Sequence, residues 1–331
     1  MYRICLLPGD GIGPEVIGCA EQVLGALPLE LEFNLAEIGF ETYQRLGTPL
    51  PDATLDKIRN ASAALFGAVT TPPNIQGYFS PVVRMRQSLD LYSNLRPIRS
   101  IPHPTSRSGI NILIVRENTE GLYSGIERME DNGQRAITER VITRKGSERI
   151  IRKAFEMARQ TNRKTVHLVH KANVLRLTCG LFRAVGLEVA KEYSDIEMKE
   201  MLVDTCAMEL VRAPEQFEVI VTTNLFGDIL SDEASMLVGG LGVAASGNIG
   251  VDAAVFEPVH GSAPTLAGTG KANPIATIMA AAMMLDYLGE KEQAIRLQNA
   301  VVSSIADGQV TSDMGGVLTT DQATKNIIQR L

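Results

Sequence analysis

The sequence predicts an α/β protein of two domains, with parallel and mixed sheets flanked by helices. Three observations carry this. The chain has 331 residues, more than one simple core accommodates. Its first third alternates strand and helix patterns in the order β-α-β-α-β, which needs crossover connections and therefore a parallel sheet. The stretch Val219 to Gly242, around which the rest is organised, opens with β-branched Val219, Ile220 and Val221 and passes through a turn into a helical run, as a strand covered on both faces does.

The totals exclude several classes. Hydrophobic residues make up 45% of the chain, with no low-complexity tract, as in a soluble globular protein. A net charge of −6 argues against a general nucleic-acid binder, while leaving local arginines free to bind small anions. No run of about 18 apolar residues is present, so no membrane span or membrane partner is expected. The apolar start is too short for a secretory signal and is broken by Pro8. Cys5, Cys19, Cys179 and Cys206 show no CxxC spacing and read as free thiols of a reducing cytoplasm.

In order along the chain, Arg3 to Leu7 reads as a strand, Pro8 to Gly13 as a turn, and Pro14 as the first position of a helix. Val16, Ile17, Ala20, Val23, Leu24 and Leu27 form that helix's buried stripe. Leu29, Leu31, Phe33 and Leu35 alternate as a second strand; a helix near Thr54 to Asn60 leads to a strand at Ala63 to Phe66. The glycines at 9, 11 and 13 lack the dinucleotide fingerprint and read as a tight turn that can still lie near a cofactor. Gly67 to Asn74 is a loop, Ser80 to Tyr92 a helix closed by Asn94 to Pro97, and Ile112 to Val115 a strand. Gly125 to Lys145 reads as a protruding ribbon, Ser147 to Arg159 as a helix, Thr165 to Val169 as a strand, and Met201 to Val203 as a short apolar piece ending at Asp204. Ala253 to Phe256 is a strand; Asn273, Pro274 and Gly289 bound a long helix, and Thr319 to Gln322 forms a capping box for the last.

The chemistry concentrates in a few residues. Asp228 and Asp232 are four apart on a helix, hence on one face, where their charges repel unless a cation sits between them. An exposed acidic face is the commoner meaning of such spacing. The apolar flanks Phe226, Ile229 and Leu230 favour a hard divalent cation, Mg²⁺ or Mn²⁺. Arg86, Arg96 and Arg116 lie in or just after regular elements and suit a carboxylate clamp, or three unrelated salt bridges. Tyr123 and Lys171 each follow a strand and are proton-transfer candidates; alone, each reads as an ordinary packing or surface residue. His167 and His170, at odd spacing on a strand, point to opposite faces, so structural or cofactor-contact roles fit the histidines better than a zinc site.

Together these motifs resemble one family, the β-decarboxylating dehydrogenases of 2-hydroxy acids: the isocitrate, homoisocitrate, 3-isopropylmalate and tartrate dehydrogenases. The matching blocks are LPGDGIGPEV (7–16), LDLYSNLRP (89–97), VRENTEGLYSG (115–125), HKANVLR (170–176), TTNLFGDILSDEAS (222–235), and FEPVHGSAP (256–264) with ANP (272–274). The resemblance implies the isopropylmalate/isocitrate dehydrogenase-like two-domain fold: residues 1–98 with 248–331 forming a cofactor-binding domain, and 99–247 a dimerisation and metal-site domain with a clasp ribbon near 125–145. It implies a homodimer with shared sites. Asp228 and Asp232 would bind the metal from one subunit and Asp204 from the other; Tyr123 and Lys171 would be catalytic, Lys171 acting across the dimer. Arg86, Arg96 and Arg116 would hold the malate carboxylates. Thr70, Thr71, Asn173, Glu257, His260, Gly261, Ser262, Ala263 and Asn273 would bind the cofactor.

By the same resemblance the reaction is oxidation at C2 with a nicotinamide as acceptor, followed by loss of the 3-carboxylate as CO₂. NAD-dependent relatives carry an acid just after the HGSAP block, where this chain has Thr265; NADP-dependent isocitrate relatives carry Lys and Tyr there, where this chain has Thr265 and Leu266. NAD is the expectation, since nothing evident pairs with a 2′-phosphate, and NADP stays open. The segment Gly77 to Arg86 looks most like homoisocitrate dehydrogenases, with Ser80 and Tyr78 offered to a distal carboxylate and Val82 and Val83 to a longer methylene chain. Isocitrate is the expected secondary substrate. 3-Isopropylmalate or a tartrate/malate-type acid are alternatives, and a regulatory subunit of a heteromeric isocitrate dehydrogenase is the non-enzyme alternative.

Overall fold

The computed structural model describes residues 1–72, 75 and 78–331; Pro73, Asn74, Gln76 and Gly77, and with them part of the Gly67–Asn74 loop and the start of the Gly77–Arg86 segment, lie outside the described residues. The chain divides into two compact units, one of Met1–Leu91, Ile101–Arg107 and Gly239–Leu331, the other of Tyr92–Ser100 and Ser108–Val238.

The first unit begins with β1 (Tyr2–Gly9), flanked by two parallel strands, β2 (Leu31–Leu35) and β3 (Ala63–Ala68). Helix α1 (Gly13–Gly25) makes the first crossover and buries the expected stripe from Val16 to Leu24. Two helices rather than one make the second, α2 (Phe40–Leu46) and α3 (Asp52–Arg59). The seven-residue α2 buries only Thr42, so it has no apolar period to read. Strand β2 is an edge, which is why its alternating Leu35 is exposed. Helix α4 (Pro81–Ser88) starts on the Ser80 cap and stops at Ser88.

The second unit opens where a helix end was expected. Residues 93–99 form strand β4 (Ser93–Arg99), antiparallel to β5 (Asn111–Glu117). Pro97 argues locally against a strand, and pairing along seven residues of β5 overrides it. Strands β6 (Glu127–Glu130) and β7 (Arg135–Thr138) form the two-stranded ribbon, followed by α5 (Arg144–Gln160), β8 (Thr165–His170), α6 (Thr178–Ala190), β9 (Glu197–Leu202), α7 (Val203–Arg212), β10 (Val219–Thr222) and α8 (Asn224–Met236). Within this unit the sheet order is β4-β5-β10-β8-β9, parallel from β5 onward. The apolar piece at Met201 is the end of edge strand β9, and Asp204 sits in the first turn of α7.

The chain returns to the first unit with β11 (Ala245–Ile249), antiparallel to β12 (Ala254–Pro258), which lies parallel to β3. The unit's sheet order is β2-β1-β3-β12-β11. Three helices follow, α9 (Ile275–Tyr287), α10 (Lys291–Ala306) and α11 (Thr320–Ile328). Helix α9 packs on β12, β11 and β3 and is buried nearly all round. Its cap is the Asn273 side chain, whose Oδ1 accepts from the Ile275 N–H at 3.0 Å. Helix α11 has both bonds of the Thr319–Gln322 capping box. Thr319→Ala is therefore expected to cost about 1 kcal/mol, seen as a lower Tm with turnover unchanged; an unaltered Tm would mean the box is not held in solution. All four cysteines are free and buried; burial pushes Cys5 and Cys19 up to about 11 and Cys206 up to about 12, so these three are poor nucleophiles.

Candidate active site

In the second unit, β10 delivers its chain directly into α8, and α8 carries Asp228 and Asp232 on successive turns. Two arginines from the neighbouring strands meet them. Arg96 of β4 donates from Nη1 to Asp232 Oδ1 at 3.0 Å and from Nη2 to Asp228 Oδ1 at 3.3 Å. Arg116 of β5, only 1% exposed, bonds the same Asp228 oxygen and reaches Asn224 Oδ1 at 2.7 Å. Tyr123, in the turn after β5, donates its hydroxyl to Asp228 Oδ2 at 2.6 Å, and its ring lies 5.3 Å from the Arg116 guanidinium carbon. Arg96 is further fixed by Asn94 Oδ1 at 2.8 Å and Ser231 Oγ at 2.6 Å. A Cβ at Gly227 would come within 2.7 Å of the Arg116 side chain, so α8 approaches β5 closely there only because 227 is glycine. Gly227→Ala is expected to displace Arg116 and lower turnover severalfold; wild-type kinetics in that variant would show that Arg116 need not hold this position.

Within this chain the two carboxylates are thus ion-paired with two guanidinium groups. Sequence reasoning listed the arginines and aspartates separately and did not foresee their pairing. Burial raises the Asp232 carboxyl above its ordinary range; the Asp228 charge adds to this and Arg96 opposes it. As a donor set, two carboxylates suit a hard divalent ion. Among the described residues no group of three or more His, Cys, Asp or Glu side chains gathers for a metal, so Asp204 does not join Asp228 and Asp232 within one chain. It lies instead against Lys171, whose Nζ donates to Asp204 Oδ1 at 2.5 Å and holds that carboxyl below its ordinary range.

Lys171 follows β8 directly, and Asn173, two residues on, is exposed. His170 is tied by Nε2 to Glu200 at 3.3 Å, while His167 packs edge-on against Phe217 with its ring pushed by burial down to about 4. Each histidine thus has a partner within the chain, Glu200 for His170 and Phe217 for His167.

The first unit holds the remaining candidates. A cleft of about 420 Å³ is lined by Ile12, His260, Gly261, Ala263, Asn273 and Asp313, among others. His260 turns Nδ1 to the Gly261 carbonyl at 3.0 Å, and burial keeps its pKa below the usual histidine range, so Nε2 presents a lone pair. That atom is buried without a partner among the described residues, and an unfilled acceptor in a cleft fits a nucleotide donor. Ser262 is buried, and its hydroxyl meets Thr70 Oγ1 at 2.7 Å; Thr71 is exposed. Glu257 lies elsewhere than a cleft wall: it accepts from Arg86 Nη2 at 2.7 Å and Asn248 Nδ2 at 2.8 Å, all buried. Ser80 caps α4 through a long 3.5 Å bond from the Val83 N–H. Tyr78, offered to a distal carboxylate by sequence, instead donates to the Thr70 carbonyl at 3.0 Å. Asn224 and Ser231, which hold Arg116 and Arg96, and Lys271, which lines the cleft, were not foreseen from sequence.

The model of the isocitrate/isopropylmalate dehydrogenase family matches residues 3–331. The chain belongs to this family. It is 54% identical over 331 residues to the isocitrate/homoisocitrate dehydrogenase of Thermus thermophilus, covering 100% of this chain and 98% of the relative. It is 49% identical to the homoisocitrate dehydrogenase of Methanocaldococcus jannaschii, covering 99% and 97%. Among solved structures, isocitrate dehydrogenase from Methylococcus capsulatus matches with a TM-score of 0.96 at 50% identity, covering 100% and 99%. The fold is therefore the family's, with mixed sheets flanked by eleven α-helices among the described residues, and the chain is a β-decarboxylating dehydrogenase. The family uses a nicotinamide cofactor and a divalent metal. No helix among the described residues is long and apolar enough to cross a membrane.

Proposed function

We propose that this dehydrogenase oxidatively decarboxylates (2R,3S)-type 3-carboxy-2-hydroxy acids, with homoisocitrate the preferred substrate, isocitrate a secondary one, and NAD the preferred cofactor. The observation that carries the reading is the cluster of Tyr123, Arg96 and Arg116 on Asp228 and Asp232. Asp228 and Asp232, with the partner subunit's Asp204, would hold Mg²⁺ or Mn²⁺. Bound there, the ion supplies Lewis-acid polarisation, and the nicotinamide supplies the hydride acceptor. Arg96 and Arg116 bind substrate carboxylates as planar forks. Arg86 is proposed for the same task, and its buried Nε has no partner among the described residues, as a guanidinium awaiting an anion would. Lys171 takes the 2-hydroxyl proton, and Tyr123 delivers one to C3. Thr70, Thr71, Asn173, Ser262, Ala263 and Asn273, with His260 and Gly261, are proposed cofactor contacts; Glu257 would contribute through Arg86.

A homodimer with shared sites is part of this reading. Helices α7 and α8 pack on each other. They leave Met208 and Val211 of α7 and Ile229 and Met236 of α8 more than half exposed. Apolar residues grouped on two helices ask for cover, and a second copy there would carry its α7, with Asp204, toward α8.

For substrate, the 54% identity to an enzyme named for isocitrate and homoisocitrate supports the tricarboxylates. Val82 packs against the first unit's core, and Val83 is the valine proposed to face the substrate. Burying a third carboxylate needs a hydrogen-bonding partner, a task left to Ser80 now that Tyr78 is engaged. Steady-state kinetics on homoisocitrate, isocitrate and 3-isopropylmalate, each with NAD and NADP, are expected to give the highest kcat/KM for homoisocitrate with NAD. Ser80→Ala should lose more on the tricarboxylates than on 3-isopropylmalate. A preference for 3-isopropylmalate would overturn the substrate while leaving the family in place; no turnover with any would favour a regulatory subunit.

A further inference from the structure

We infer that Asp10 is a positioning residue of the nucleotide site, acting through Thr70. Its side chain is 3% exposed, yet among the described residues no lysine, arginine or histidine pairs with it. Three backbone N–H groups satisfy it instead: Phe40 at 2.7 Å, Glu41 at 3.0 Å and Thr70 at 2.8 Å. A buried carboxylate that accepts only backbone donors fixes the chain segments supplying them, here the start of α2 and the loop after β3.

Two glycines show how closely the region is built. Gly39 has φ +112°, and a Cβ there would lie 2.4 Å from Asp10 Oδ2. A Cβ at Gly11 would lie 2.1 Å from the Ser262 carbonyl, which accepts from the Ile12 N–H at 2.9 Å. The turn that carries Asp10 is therefore locked to Ser262 through its backbone. Thr70 closes the ring: its N–H is on Asp10, its hydroxyl on Ser262 Oγ at 2.7 Å, and its carbonyl accepts from Tyr78 at 3.0 Å. Asparagine at position 10 keeps one acceptor oxygen and puts an N–H₂ donor in place of the other, so the three amides of Phe40, Glu41 and Thr70 can no longer all be satisfied and the Thr70–Ser262 contact loses part of the support that sets its geometry. Gly261 and Ala263, on either side of Ser262, line the cleft, so the disturbance reaches the nucleotide.

This inference rests on the proposal that Thr70 and Ser262 contact the cofactor. The test is a double-mutant cycle on the full-length protein, with NAD binding read by calorimetry. Asp10→Asn is expected to raise the Kd for NAD about tenfold, as loss of a supporting contact does, with KM for the hydroxy acid within about twofold. Thr70→Val should weaken NAD binding severalfold, and the double variant should be no worse than Asp10→Asn alone, because both act on one contact. Independent, multiplicative losses would overturn the inference, since a merely structural Asp10 gives that result. Should Asp10→Asn not unfold cooperatively, Gly39→Ala, which presses on the same carboxylate, takes its place in the cycle. Amide exchange at Thr70 separates the two readings: it should be faster in the Asp10 variant with or without nucleotide. Faster exchange with unchanged NAD binding sinks this inference alone; a wild-type protein that binds neither NAD nor NADP sinks the reading of the cleft as well.

Discussion

Asp228→Asn is expected to lower kcat/KM by about 10²–10³-fold, the scale seen when a charge-stabilising group is lost from an active site, while the protein stays folded. Asp228 is where the cluster converges: one oxygen takes both guanidinium groups, and the other takes the Tyr123 hydroxyl. Asparagine keeps the shape and one acceptor oxygen, so Arg116 retains a partner there as well as Asn224. What is lost is the charge. Arg116 is 1% exposed and cannot recover it from water, so a Tm several degrees lower should accompany the kinetic loss. On the proposed metal reading the same substitution removes a ligand. Chelation of the wild-type protein should then reproduce the activity loss without the Tm loss, and Mg²⁺ or Mn²⁺ should reverse it. Undiminished turnover in thoroughly metal-stripped wild-type protein would sink the metal assignment, and an active, metal-responsive Asp228→Asn would move it off this residue.

The parts of this site that could be read from sequence were those fixed by local rules. The one-turn spacing of Asp228 and Asp232 follows from helix geometry alone, and the strand leading into α8 from its β-branched run. The capping box at Thr319 and the glycine after α9 are written in residue types. What escaped was tertiary. Strand β4 was hidden because Pro97 argues against a strand until β5 is there to pair with it. Helix α2 was hidden because it buries one residue. The ion pairs of Arg96 and Arg116 with α8, and of Arg86 with Glu257, join residues more than a hundred positions apart, and no spacing rule reaches that far. Asp10 is the clearest case: read as part of a turn, it proves to hold segments 30 and 60 residues away. A buried carboxylate's purpose is legible only once its donors are in place.

Lys171→Met and Asp228→Asn proteins, each inactive alone, are expected to regain roughly a quarter of wild-type activity when unfolded together, mixed in equal amounts and refolded. The arithmetic follows from two-fold symmetry. If each site takes Asp228 from one subunit and Lys171 from the other, a mixed dimer has one site carrying both defects and one carrying neither. Half of the sites in such a dimer work, and random pairing makes about half of the dimers mixed. Two features of the single chain motivate the experiment. Asp204 and Lys171 are paired with each other and stand outside the Asp228–Asp232 cluster, so one chain gathers only part of the proposed chemistry. Helices α7 and α8, which carry the three aspartates, also carry the uncovered Met208, Val211, Ile229 and Met236. If the proposed homodimer forms through this surface, exchanging Met208 and Ile229 for aspartate in the wild-type chain should give monomers and abolish turnover together, as removal of a shared site requires. Verified mixed dimers that stay inactive would mean that Lys171 and Asp228 of the same chain serve the same site, and the proposal of sites shared across subunits would fall while the family and the reaction class stood.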